Sequence, residues 1–181
     1  MTGAVPEARE AWLITGIPGA GKSTVARMLA GRFPRGAHIE GDRLAGMVVG
    51  GAVYPGQEPP EESERQSVLA MRHLCLLARS FARAGFVPVL DYVSMTRGGI
   101  AFYRRSLRRL ALHVVVLNPG KEAALARDRD RPEKTVAAHW THLEEVMLRE
   151  LPGIGLWVDS RDQPPEETVA FILRKRDRAR V

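Results

Sequence analysis

The stretch Gly16-Ile17-Pro18-Gly19-Ala20-Gly21-Lys22-Ser23 constrains this chain more than any other, because it satisfies the pattern G-x-x-x-x-G-K-[ST]. Its flanks fit the pattern. Ala11–Thr15 before it is an apolar run of strand length, and Thr24–Ala30 after it has the Ala/Leu/Met content and apolar spacing of a helix. A glycine loop between a strand and a helix turns successive backbone N–H groups, and the positive end of the helix, toward one point. That is a cradle for phosphate. Gly16, Ile17, Pro18, Gly19, Ala20 and Gly21 supply the loop, Lys22 reaches the β- and γ-phosphates of a nucleotide, Ser23 offers its hydroxyl to Mg²⁺, and Thr24 opens the helix beside them.

Beyond the loop, apolar strand-length runs alternate with helical patterns. Strands are expected at Ala37–Glu40, Phe86–Leu90, Leu112–Leu117 and Ile154–Val158, with Pro88 an awkward residue for a central strand. Helices are expected at Glu61–Ala84, Ile100–Leu110, about Val136 to Glu150, and Glu166–Arg176. The alternation predicts a doubly wound α/β fold: a five-stranded parallel sheet with helices on both faces, in one domain spanning 1–181. Residues 1–10 and 177–181 read as frayed ends. Glycine and proline recur through 46–60, which predicts a mobile loop on the acceptor side of the sheet. Residues 127–136 read as a short arginine-bearing lid.

Composition narrows the class without naming the reaction. Hydrophobic and charged shares of 45% and 27% are ordinary for a folded domain. No apolar run approaches the roughly 20 residues a membrane helix needs, and Met1–Glu10 lacks an apolar signal core, so a cytoplasmic protein with no membrane partner is expected. Cys75, the one cysteine, lies in the apolar run Leu74–Leu77 and reads as a core residue in a reducing compartment. A net charge of +6 raises the question of a polyanionic partner, but only four of the 27 basic residues are lysines and few aromatics lie among the arginines. A solvated face explains Arg104, Arg105, Arg108 and Arg109 better than a polyanion site does.

Acidic residues follow two of the predicted strands: Glu40-Gly41-Asp42 after the second and Asp91 after the third. Carboxylates at the carboxyl ends of parallel strands face the ligand crevice. With these residues, the loop at Gly16–Ser23, the cluster Arg127–Arg131 and Val158-Asp159-Ser160, the chain resembles the P-loop small-molecule kinases, the group that includes gluconate kinase, shikimate kinase, adenylylsulfate kinase and chloramphenicol phosphotransferase. The resemblance covers nearly the whole chain in layout. Gluconate and adenylylsulfate kinases carry Asp-Gly-Asp where this chain has Glu40-Gly41-Asp42, a departure of one methylene at the first acid.

The resemblance implies ATP and Mg²⁺ as cofactors and transfer of the γ-phosphoryl group to a hydroxyl of a metabolite, sugar acid or antibiotic. Phosphoryl transfer needs an aligned hydroxyl and positive charge around the γ-phosphate, and the residue inventory supplies both. Asp42 is the candidate base, with the N-cap of a helix starting at Arg43 as its structural alternative. Lys22 and Arg131 are placed on the phosphates and Arg127 on the adenine. Ser23, Glu40 and Asp91 are the metal-side candidates. The acceptor is expected to meet Asp42, Arg43, Asp91, Tyr92 and Arg97, with Tyr54 and Met95 nearby. Arg129 has no assigned role.

Two other classes stay open. A 5′-hydroxyl polynucleotide or nucleoside kinase would share the loop, base and lid, and the basic helix would suit it. A nucleotide-binding switch without acceptor would share only the loop, and no Asn-Lys-x-Asp segment for reading guanine is present. His139 and His142 lie three apart on a predicted helix without a third metal ligand in register, and His38 and His113 read as satisfied histidines in or beside strands. Oligomeric state is not encoded in any recognisable pattern.

Overall fold

The computed structural model describes residues 6–129 and 142–181. In chain order the elements are β1 (Glu10–Gly16), α1 (Lys22–Ala30), β2 (Gly36–Glu40), α2 (Gly41–Ala45), α3 (Pro60–Arg83), β3 (Val87–Asp91), α4 (Arg97–Ser106), β4 (Ala111–Leu117), α5 (Lys121–Arg129), α6 (His142–Glu150), β5 (Leu156–Val158), α7 (Pro165–Arg174) and α8 (Arg176–Ala179). The five strands form one sheet in the order β2-β3-β1-β4-β5, and every neighbouring pair is parallel. The expected α/β architecture is therefore the observed one.

β1 and β4 lie side by side in full register from Glu10↔Ala111 to Gly16↔Leu117, and all but the first residue of each is buried. Continuous apolar runs suit this central position, since helices cover both faces of a parallel sheet. α1 and α3 pack on the same strands, β1, β2 and β3, from opposite sides, as right-handed crossovers in opposite directions require. β3 lies between β2 and β1 despite Pro88. Val87 donates its N–H to Arg35 on the β2 side, so the position of the missing Pro88 N–H faces β1, where the ladder begins only at Trp12↔Val89. The ladder to β1 thus starts one residue past the proline, which has no N–H to give it.

Both expected frayed ends are corrected where the structure describes them. The amide of Ala8 bonds to the Ala82 carbonyl and Glu10 opens β1. Residues 176–179 form α8, Ala179 is fully buried, and Val181 donates to the Leu112 carbonyl. The tail is held by the His113 ring, which stacks on Trp12 at 4.3 Å with Nδ1 3.2 Å from the Arg176 carbonyl, while the Arg176 guanidinium meets Glu10 at 2.7 Å. An arginine-rich sequence looked like a loose end because its partners lie more than 60 residues away. Residues 1–5 lie outside the described residues.

Segment 46–59 forms no helix or strand. It is nevertheless tied to α3: Gln66 accepts from Val53 N and donates to the Gly51 carbonyl, and the Ser63 hydroxyl donates to the Tyr54 carbonyl. No helix of the described residues is long and apolar enough to cross a membrane. Cys75 is buried, and burial pushes its thiol up to about 11.

Candidate active site

The loop between β1 and α1 lies at the centre of the sheet's carboxyl edge. Gly19 turns with φ +83°, and a Cβ there would collide with the carbonyl of Ala124 in α5. The loop is thus seated on α5 and on the end of β4. α1 begins at Lys22 after Gly21, and no side chain caps it, so the N–H groups of its first turn stay available to an anion. Lys22 is largely buried, with Nζ donating to the Ile17 carbonyl at 3.1 Å across the loop. Ser23 and Thr24 are exposed at the helix start.

Asp91 ends β3 beside this helix and is nearly fully buried. Its two oxygens have different partners: Oδ1 accepts from the Ser23 hydroxyl at 3.4 Å, and Oδ2 lies 2.5 Å from His38 Nε2. Glu40 pairs with Asp91 in the β2–β3 register, which places two carboxylates next to each other. Glu40 is held by cations instead of facing the loop: Arg27 of α1 meets Oε1 at 2.9 Å and Arg43 meets Oε2 at 2.7 Å. Burial raises its carboxyl, but the Arg43 and Arg27 guanidiniums outweigh it and hold the group below its usual range.

Asp42 falls in the first turn of α2, after Glu40 as the cap residue, so the alternative of Asp42 capping a helix that begins at Arg43 is corrected. Its side chain is exposed, and among the described residues it forms no ion pair. Tyr92 is its neighbour. The Tyr92 ring packs so closely on Gly41 that a Cβ there would clash with it. Burial first, then the Asp42 charge, push the Tyr92 hydroxyl up, partly offset by a hydrogen bond with Ser67.

A family model described as an AAA domain matches residues 12–149. The chain belongs to this AAA domain family. No curated protein matches the sequence. Among solved structures, the AAA domain chain is similar to a sugar kinase from Janibacter sp. HTCC2649 (21% identity, 94% of this chain and 95% of that one, TM-score 0.65). It is also similar to a gluconokinase from Sinorhizobium meliloti 1021 (19%, 94% and 95%, 0.66). A third match is the APS kinase of Mycobacterium tuberculosis in complex with AMPPNP and APS (15%, 93% and 97%, 0.66). At these identities the likeness establishes the fold, a P-loop kinase-like α/β architecture.

On the β4–β5 side of the loop, the AAA domain chain has a cleft of about 280 Å³ lined by Gly21, Thr24, Arg127, Ser160, Gln163 and Thr168 among others. Arg127, in the last turn of α5, donates to the carbonyls of Ser160 at 2.6 Å and Arg161 at 2.9 Å. The guanidinium therefore holds the segment after β5 and forms part of the cleft wall. Arg131 and most of the expected lid, together with His139, lie outside the described residues.

The structure brings together Lys22, Ser23 and Asp91, with Asp42 and Tyr92 adjoining each other on the β2–β3 side. It does not bring Arg43 and Arg97 to them. Arg43 is turned onto Glu40, and Arg97 donates to the Pro152 carbonyl beyond α6 at 2.9 Å. Met95 is buried and Tyr54 half exposed. His38 is the satisfied strand histidine expected from the sequence, largely buried in β2 with its ring bonded to Asp91.

Proposed function

We propose that this protein is an ATP- and Mg²⁺-dependent phosphotransferase that moves the γ-phosphoryl group to a hydroxyl of a small molecule, with Asp42 as the base. One observation carries the reading. Of the carboxylates near the loop, Glu40 is neutralised by two arginines and Asp91 is buried between Ser23 and His38, whereas Asp42 stands exposed beside the buried Tyr92 and, among the described residues, forms no ion pair. A base must be open to its substrate and not already paired.

In this reading the amides of the loop and Lys22 bind the triphosphate, and Arg127 and the cleft beside it hold the base. Asp42 accepts the acceptor's hydroxyl proton as the oxygen bonds to the γ-phosphorus and the bond to the β–γ bridging oxygen breaks. The oxygen donors of Ser23 and Asp91 fit Mg²⁺, which takes one or two protein oxygens and completes its shell with phosphate and water. When bound, Mg²⁺ neutralises charge on the β- and γ-phosphates. Glu40 belongs outside this first shell while Arg27 and Arg43 hold it. Arg131 keeps its proposed place on the phosphates and Tyr92 on the acceptor.

The basic stripe does not favour a nucleic-acid acceptor. Arg104, Arg105, Arg108 and Arg109 are exposed at the end of α4 and in the turn leading into β4, the amino edge of the sheet, opposite the phosphate loop. A screen of ATP consumption over sugars, sugar acids, nucleosides, 5′-hydroxyl oligonucleotides and aminocyclitol or amphenicol antibiotics tests the reading, with Lys22→Ala as the inactive control. Acceptor-dependent turnover of one small molecule supports it. Turnover only of oligonucleotides, lost steeply between low and moderate salt, replaces it with the polynucleotide reading.

A further inference from the structure

His38 lies between the two carboxylates that the β2–β3 register places together. Its Nε2 is 2.5 Å from Asp91 Oδ2, its Nδ1 is 3.7 Å from Glu40 Oε1, and only 10% of its side chain is exposed. Because an ionised carboxylate can only accept, Nε2 carries the proton and donates to Asp91. Asp91 is thereby held at both oxygens, Oδ2 by His38 and Oδ1 by the Ser23 hydroxyl at 3.4 Å. A carboxyl group rotates about one bond, so fixing Oδ2 fixes where Oδ1 points. Here Oδ1 points at the first turn of α1.

We propose that His38 is a positioning residue for the metal-nucleotide site: by orienting Asp91 it presents Oδ1 to Ser23 and so sets the affinity of the nucleotide complex for its divalent cation. The inference rests on the reading of Ser23 and Asp91 as metal-side groups given above. The other elements around the ring fit this role. Arg27, one turn along α1 from Ser23, and Arg43 from α2 take both oxygens of Glu40. Glu40 therefore does not compete with Asp91 for the His38 donor. Hydrogen-bonding partners behind a metal site hold its ligands in orientation, and losing one weakens metal binding by about 10- to 100-fold.

A purely structural role makes a different forecast. If His38 only separates two like charges, its removal lowers thermal stability and affects nucleotide binding equally with and without metal. The test measures AMPPNP affinity by calorimetry over a Mg²⁺ titration, with Mn²⁺ binding followed by electron paramagnetic resonance, in wild type, His38→Ala, His38→Phe and His38→Gln. The phenylalanine keeps a ring without nitrogens. The glutamine amide lies the same number of bonds from Cβ as Nε2 and can donate to Asp91. Expected is an about 10- to 100-fold rise in the Mg²⁺ and Mn²⁺ concentrations needed by His38→Ala and His38→Phe, unchanged metal-free affinity, and recovery to within about threefold in His38→Gln. Wild-type metal dependence in a folded His38→Phe overturns the proposal, as does equal loss in the phenylalanine and glutamine variants. If wild-type AMPPNP affinity itself ignores Mg²⁺, the functional reading fails along with it.

Discussion

Gly19 lies against the carbonyl oxygen of Ala124, with no room for a side chain between the phosphate loop and α5. Its φ of +83° is also a conformation that L side chains rarely adopt. Gly19→Ala is strained on both counts, by about 1–3 kcal/mol each. The loop or α5 must shift, and ATP affinity measured by calorimetry should fall at least about tenfold, a change worth 1.4 kcal/mol. Wild-type affinity in this variant would mean that triphosphate is bound elsewhere.

Asp42→Asn removes the proton acceptor and keeps the shape of an exposed, uncapped first-turn residue. Turnover with the identified acceptor should drop by about 10²- to 10⁴-fold while ATP affinity stays within about twofold, the pattern of a group acting on the transferred proton. Steady-state kinetics with nucleotide titration check it. Unchanged kcat removes Asp42 from the chemistry.

Arg127→Ala loses two carbonyl contacts of its guanidinium, at 2.6 and 2.9 Å, and with them the wall of the cleft beside Gly21. Nucleotide affinity should weaken about tenfold, in line with the 1–2 kcal/mol that a desolvated guanidinium stacked on a ring contributes, with a smaller effect on kcat. Equal affinity for ATP and for inorganic triphosphate in the wild type would argue against a base site in this cleft.

His113 predicts an acid-sensitive fold. Burial depresses its basicity more than the Arg176 carbonyl and the Glu10 carboxylate raise it, so its folded value lies below the ordinary 6.5. The folded state therefore binds fewer protons than the unfolded chain in this window. Stability from the neutral ring is complete above about 6.5 and is lost as pH falls below that value toward the depressed one, after which the loss levels off. Urea midpoints measured from pH 8 to 5 should fall in wild type, and His113→Gln should flatten that part of the profile. A wild-type midpoint constant across this range would contradict it.

Local pattern carried the sheet and the loop because both are written in consecutive residues: the apolar runs at Ala11–Thr15 and Leu112–Leu117 needed only to be buried on both faces. Lateral relations were not legible. That His38 would face Asp91 depends on β2 lying beside β3 in a register pairing Glu40 with Asp91, a fact of strand order. The sequence places Arg127 on the adenine but gives no sign of the carbonyls it binds, at Ser160 and Arg161, which belong to a turn more than 30 positions on. Glu40 matched the acidic turn of the resembling kinases, yet Arg27 and Arg43 converge on it from two helices.

The strand order β2-β3-β1-β4-β5 puts the phosphate loop on the middle strand, with His38, Glu40, Asp42 and Asp91 on one wing and Arg127 and Ser160 on the other. On the reading above, the adenine side of the nucleotide and the acceptor are handled by separate stretches of chain. New acceptors can then evolve by rewriting the surroundings of Tyr92 and the segment 46–59, provided His38, Asp42 and Asp91 are kept.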